Sequence, residues 1–224
     1  MNYDIAIDGP AGAGKSTIAK RLAKTLDLIY VDTGAMYRAI GLYMIRKGVN
    51  ASDEAAVVKA LKDVDVDIRY EEGMQIVILN GENVNGLIRT EEVGMAASAF
   101  SALAPVRAHL LNLQQGLAKR SDVVMDGRDI GTAILPSAFL KIYLTASSKE
   151  RAKRRYIELL EKGESADLAK IEEDIIKRDE QDMTRTVSPL KKADDAVVVD
   201  ASFMNIEEVT DTILKTYNDK KETK

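Results

Sequence analysis

Gly9-Pro10-Ala11-Gly12-Ala13-Gly14-Lys15-Ser16-Thr17 is a run whose residue types and spacing suit one task, the grip of a polyphosphate. It satisfies G-x-x-x-x-G-K-[ST] in full. An apolar segment, Tyr3 to Asp8, precedes it, and Ile18, Leu22 and Leu26 follow at helical spacing. On such a strand–loop–helix junction the glycines let successive backbone N–H groups turn inward around phosphate oxygens, and the helix directs its positive end at them. Lys15 then reaches the β- and γ-phosphates, and the Ser16 hydroxyl ligates Mg²⁺. The chemistry expected is the binding of ATP or another nucleoside triphosphate with its metal.

A second group of residues concerns arginine. Arg151, Arg154 and Arg155 are spaced i, i+3, i+4, and Arg178, Asp182 and Arg185 are spaced i, i+4, i+7, so each set shares a helix face. On a generic helix such a face is a solvated, salt-bridged surface. Beside a phosphate loop it acquires another meaning, because phosphoryl transfer between two anionic substrates needs fixed cations that close over the transferring group. Asp126 ends the apolar run Val123-Val124-Met125, the position of an acid that anchors the water shell of magnesium. The string Asn-Lys-x-Asp, which reads guanine, and the switch string Asp-x-x-Gly are both missing from the chain. A switch GTPase is therefore disfavoured against a small-molecule phosphotransferase.

The elements that must position these residues follow from periodicity. The first half reads as strand 3–8, helix 15–27, strand 28–31, helix 34–47 and a helix near 53–61. Val64, Val66 and Ile68 then alternate with Asp65, Asp67 and Arg69, the period of a half-buried strand. Gln75 to Leu79 and the turn pair Asn80-Gly81 extend this into a small antiparallel insert of two or three strands. Helical spacing resumes at 90–100 and 103–119, with Pro105 in a first turn. Strands at 123–125, 140–144 and 197–199 alternate with a charged helical stretch at 148–186 and a closing helix at 206–219, leaving a frayed end at 219–224. The alternation predicts an α/β fold, a parallel sheet flanked by helices. The whole chain reads as one P-loop domain, with an insert at about 34–100 and a helical lid at about 148–186.

Composition limits the partners. The chain has 224 residues, 46% of them hydrophobic and 30% charged, with net charge −4 and no cysteine. That balance argues against nucleic acid or an anionic membrane as the main partner. Thiolate metal sites and thiol nucleophiles are excluded. With the first strand at residue 3 no leader is expected, and no apolar run approaches the ~20 residues that span a bilayer. The expectation is a cytoplasmic protein acting on small molecules. His109, the single histidine, is expected to be structural or exposed.

Asp32-Thr33-Gly34-Ala35-Met36-Tyr37-Arg38, Asp126-Gly127-Arg128-Asp129-Ile130-Gly131-Thr132 and Arg178-x₆-Arg185, in this order, resemble bacterial cytidylate kinases. Ile88 to Val93 and the β insert resemble the enlarged monophosphate-binding region of that family. The resemblance runs from the first strand to the last helix with no departure at the motif positions. It implies phosphoryl transfer from ATP to CMP or dCMP by a monomer. It also implies that Arg38, Arg128 and Arg185 hold the acceptor phosphate and that Ser98, Arg178 and Asp182 meet the ribose. Thr33, Arg107 and Asp129 are then assigned to the cytosine, Tyr37 to packing on the substrate, and Arg154 and Arg155 to bracketing the ATP phosphates; Arg151 is left without a role. No general base is needed, since the acceptor is already an ionised phosphate oxygen. Other phosphotransferases (UMP/CMP, thymidylate or shikimate type) and a regulatory nucleotide-binding module stay open on the residues alone.

Overall fold

Short apolar runs without polar interruption suit strands buried on both faces of a parallel sheet. The computed structural model describes residues 2–223 and builds its elements from such runs. In chain order they are β1 (Ile5–Asp8), α1 (Lys15–Leu26), β2 (Ile29–Asp32), α2 (Thr33–Lys47), α3 (Glu54–Leu61), β3 (Val66–Glu71), β4 (Met74–Leu79) and β5 (Glu82–Asn83). There follow α4 (Glu91–Ser101), α5 (Ala104–Arg120), β6 (Val123–Gly127), a single π-helical turn (Ile130–Ile134), β7 (Leu140–Thr145), α6 (Ser148–Glu161), α7 (Leu168–Thr184), β8 (Val197–Asp200) and α8 (Ile206–Glu222). The chain forms two units: one runs to Leu28 and resumes at Val124, the other spans Ile29–Val123.

In the first unit β6, β1, β7 and β8 lie side by side in parallel. Every residue of β1 is buried, and Ile5, Ile7, Met125 and Leu140 are among the most enclosed side chains. Helices α1 and α8 pack together, turning Ile18 and Leu22, and Val209, Ile213 and Tyr217, inward. The first strand begins at Ile5 rather than residue 3, because Tyr3 is spent on an aromatic cluster with Phe139 (5.1 Å) and Tyr217 (6.4 Å). That cluster also corrects the expectation of a frayed end over 219–223; Lys224 lies outside the described residues. Lys220 and Lys221 lie over Phe139 and Tyr3, and α8 continues to Glu222.

The stretch expected to be helical from 148 to 186 is two helices. Gly163 adopts φ 77° and the amides of Gly163 and Glu164 bond back to Leu160 and Leu159, ending α6. Asp167 then caps α7 through the amides of Ala169 and Lys170. Among the described residues no helix is long and apolar enough to cross a membrane.

In the second unit β3, β4 and β5 form the antiparallel sheet expected as an insert. Both hairpins turn on a pair with positive φ, Glu72-Gly73 and Asn80-Gly81, which suits the right-handed twist of the strands. Asp32 caps α2 by accepting from the Ala35 amide at 2.9 Å, and its other oxygen accepts from Arg89 at 2.8 Å. The core of this unit gathers Met36, Ile40 and Met44 of α2 with Leu79, Ile88 and Leu110.

Two glycines should respond in opposite directions to alanine. A Cβ on Gly9, where φ is 151°, would lie 1.9 Å from the Leu144 carbonyl oxygen, so Gly9→Ala is expected to cost about 3 kcal/mol or more. Gly116 sits within α5 with nothing within 4 Å of its Cβ position, so Gly116→Ala should stabilise by ~0.5–1 kcal/mol. Urea denaturation of the two variants checks both signs.

Candidate active site

The glycine loop leaves the C-terminal end of β1 and enters α1 at Lys15. Lys15 is buried, and its Nζ donates to the carbonyl of Pro10 at 2.7 Å, so the ammonium is held inside the curve of the loop. Burial and the positive charge of Arg128 push its pKa down to about 7, against the attraction of Asp126, Asp8 and Asp182. Ser16, exposed at the first turn, donates its hydroxyl to Asp126 Oδ2 at 3.0 Å. The hydroxyl and the strand-end carboxylate thus come together from positions far apart in the chain, two hard oxygen ligands of the kind magnesium takes alongside phosphate oxygens.

An open cavity of ≈ 820 Å³ lies against this loop, lined by residues 12–18, by α6 and by the segment 201–209. Its wall carries Lys15, Arg21, Arg151, Arg154 and Arg155 against two acids, Glu158 and Glu207. The three α6 arginines are not equivalent. Arg151 is buried and bound to the protein: Nε donates to Ala146 O at 2.8 Å, Nη1 to Ala11 O at 3.0 Å, and both Nη atoms to the Asp179 carboxylate. It braces the glycine loop against α6 and α7. Removing it would leave Asp179 without that partner, a loss of ~3–5 kcal/mol for a buried pair. Arg154 is half-buried and donates to Ala201 O at 2.6 Å, while Arg155 makes only a 3.5 Å contact with Glu158 of its own helix.

Arg128, Asp182 and Arg185 form a second cluster in the same unit. Arg128 Nε donates to Asp182 Oδ2 at 2.9 Å, and Arg185 Nη1 lies 3.7 Å from Oδ1. Burial resists ionisation of Asp182, but the charge and hydrogen bond of Arg128, with Arg185 and Arg178 beyond, hold its carboxyl below the usual range. Arg185 is the C-terminal cap of α7 rather than a residue within it, and its Nε donates to Ser188 O at 2.7 Å. Asp129 is buried at the foot of the π-helical turn.

The remaining expected residues belong to the second unit. Thr33 and Tyr37 are buried in α2, and Arg38 Nη1 donates to Ile88 O at 3.0 Å. The Arg38 guanidinium lies over Gly94, where a Cβ would meet it at 3.1 Å. Arg107 is buried, donates to Ser101 O at 3.0 Å and stacks 5.3 Å above the Tyr37 ring. Ser98 is half-buried on α4, its carbonyl accepting from the Ser101 hydroxyl. His109 is exposed.

Two acids escaped the reading from sequence. Asp179 looks like one more charge on a charged helix, and only the buried guanidinium of Arg151 marks it out. Asp8 did leave a signal, a carboxylate at the end of an apolar strand directly before the first glycine of the loop. It accepts from the Ile130 and Gly131 amides at 2.7 and 2.8 Å. Burial pushes its pKa up to about 6; the two amides oppose this, Asp129 adds to it and Lys15 opposes it.

Residues 5–219 match the family profile described as cytidylate kinase. A cytidylate kinase of Caldicellulosiruptor bescii is 50% identical over 214 residues, covering 96% of this chain and 95% of that one. One from Geobacillus sp. strain WCH70 is 47% identical over 219 residues, covering 98% of each. The fold is also similar to a crystal structure of an uncharacterized protein from Eubacterium ventriosum, at 14% identity and TM-score 0.53, covering 98% of this chain and 99% of that one. With the profile spanning nearly all of the sequence and relatives at about half identity along its length, the chain belongs to the cytidylate kinase family.

Proposed function

We propose that this protein transfers the γ-phosphoryl group of ATP to CMP and dCMP, giving ADP with CDP or dCDP. The observation that carries this reading is the closeness, within one unit, of two cationic groups. Lys15 in the glycine loop is near enough to Arg128 for its pKa to fall, and Arg128 is tied through Asp182 to Arg185. One phosphate site beside another is what transfer between two phosphates requires.

The donor polyphosphate is assigned to the amides of residues 9–17 and to Lys15, with Arg154 and Arg155 bracketing it and the nucleoside in the cavity against segment 201–209. Ser16, with Asp126 behind it, would hold Mg²⁺, which when bound neutralises charge on the β- and γ-phosphates. Lys15 leaves the Pro10 carbonyl for phosphate oxygens. The acceptor phosphate is assigned to Arg38, Arg128 and Arg185, each able to fork onto two oxygens, and the ribose to Ser98, Arg178 and Asp182. Thr33, Arg107 and Asp129 read the base, a carboxylate accepting from the 4-amino group and a guanidinium donating to N3 and O2. No side chain has to remove a proton, so the rate comes from alignment and charge stabilisation.

Arg38 and Ser98 belong to a monophosphate-binding insert at about 34–100, and a lid at about 148–186, helices α6 and α7, excludes water from the transfer. We read the protein as a cytoplasmic monomer working on small nucleotides without nucleic acid, in keeping with its net charge of −4 and lack of cysteine.

A coupled ADP-release assay with Mg-ATP against CMP, dCMP, UMP, AMP, dTMP, GMP and shikimate tests the reading. CMP and dCMP should dominate, and dominance of any other acceptor would overturn the acceptor assignments. Lys15→Met should lower kcat by about 10²–10³-fold. Asp129→Asn, which can donate to a carbonyl, should raise the UMP/CMP ratio of kcat/KM by roughly tenfold, since each mismatched polar group costs ~1–3 kcal/mol.

The pKa of Lys15 adds a pH-dependent signature. With its pKa near 7, Lys15 is mostly neutral at pH 8, and phosphate charge raises that pKa again. ATP binding at pH 8 should therefore take up roughly one proton, less at pH 6, where the lysine is already charged. Calorimetry in two buffers of different ionisation enthalpy reads the uptake, and Lys15→Met should abolish it.

A further inference from the structure

Asp8 is a buried acid with no part in the chemistry just described. It sits on β1, the strand between β6 and β7, in register with Gly127 on one side and Tyr143 on the other. Only 4% of it is exposed. A carboxylate at such a depth is costly unless its oxygens are satisfied. Both are, and by consecutive amides: Oδ1 accepts from Ile130 N at 2.7 Å and Oδ2 from Gly131 N at 2.8 Å.

Those two amides open the π-helical turn, whose first N–H groups have no partner within the turn. Inside the turn the Asp129 carbonyl accepts from Ala133 and Ile134, and the Ile130 carbonyl from Leu135. The turn is thus closed on its own carbonyls and pinned at its start by a side chain 122 positions earlier in the chain. Immediately before the pinned amides stand Arg128 and Asp129. The fit at the pin is tight. A Cβ on Gly131 would lie 3.3 Å from Asp8 Oδ2 and 3.1 Å from Lys141 Cδ, while the Lys141 ammonium is held 2.8 Å from Asp195. Neither Asp8 oxygen bonds to the glycine loop among the described residues; Lys15 is held by the Pro10 carbonyl instead.

We propose that Asp8 is a positioning residue for the acceptor: by binding the Ile130 and Gly131 amides it holds Arg128 and Asp129 where they grip and read the cytosine nucleotide. This rests on the acceptor roles given above to Arg128 and Asp129. It separates two neighbours in the sequence, since Asp8 serves the acceptor whereas Gly9 to Thr17 serve the donor. It also accounts for glycine at position 131, because any side chain there would push the turn away from the carboxylate.

The test compares Asp8→Asn and Gly131→Ala, which disturb the contact from its two sides, by steady-state kinetics with each substrate varied in turn. Both variants should raise KM for CMP about tenfold or more and shift the UMP/CMP ratio, with KM for ATP moving less than about threefold. Parallel rises in both KM values, or a lowered Tm with unchanged KM for CMP, would overturn the proposal. Hydrogen exchange supplies a measurement independent of the variants: the Ile130 and Gly131 amides should be protected in the unaltered protein. If they exchange as fast as those of an open loop, the pin does not exist. If the unaltered protein fails to phosphorylate CMP, the proposed function itself falls, a result distinct from a variant that leaves the acceptor KM in place.

Discussion

Four basic side chains, Lys15, Arg128, Arg151 and Arg185, are packed at low exposure into the phosphate-binding end of one sheet, and like charges so placed repel one another. The structure meets that constraint with carboxylates drawn from separate elements. Asp126 lies beside Ser16, Asp179 is forked by Arg151, Asp182 sits between Arg128 and Arg185, and Asp8 lies within reach of the charge on Lys15. Burial above all, and then the charge of Arg128, still hold the pKa of Lys15 down. A site in this condition favours a polyanion, because the ligand supplies the negative charge that the protein withholds.

Satisfying that charge also divides the cations by task. Arg151 spends four of its five N–H donors on the protein, so its role is to brace the loop and the two helices that follow β7. Arg155 holds only a weak contact within its own helix and Arg154 a single carbonyl, so both can turn toward a ligand at small cost. Three arginines at equivalent helical spacing are thereby separated into one structural and two responsive groups. In the other unit backbone carbonyls help to aim Arg38 and Arg107, and Arg107 also lies over the Tyr37 ring.

Much of this was legible in the chain. The glycine loop, the strand before it and the helix after it are local features, each stated by residue type and period within a dozen or so positions. The same holds for the hairpin at Asn80-Gly81, whose positive φ values are those a tight turn demands. Boundaries were harder to place. The charged stretch from 148 on keeps helical spacing, which suits a helical hairpin, and the structure sets its turn where Gly163 stops one helix and Asp167 caps the next. Near the end of the chain polarity suggested fraying, whereas the ammonium groups of Lys220 and Lys221 lie over aromatic rings from distant elements.

By itself the sequence determined the class of chemistry and the frame that carries it. Glycines, a lysine and a hydroxyl at fixed spacing make a phosphate loop whatever surrounds them, and alternating apolar periods make a parallel α/β sheet. Only the tertiary structure decided which of many charges matter. Asp179 resembles other acids of the chain until folding brings it to the Arg151 guanidinium, and only the fold brings Asp8 to two amides, Asp126 to a serine 110 positions away and Asp182 to Arg128. The reason is physical: propensity and periodicity act over a few residues, whereas the energy of a buried charge depends on partners that the chain places nearby only after it has folded.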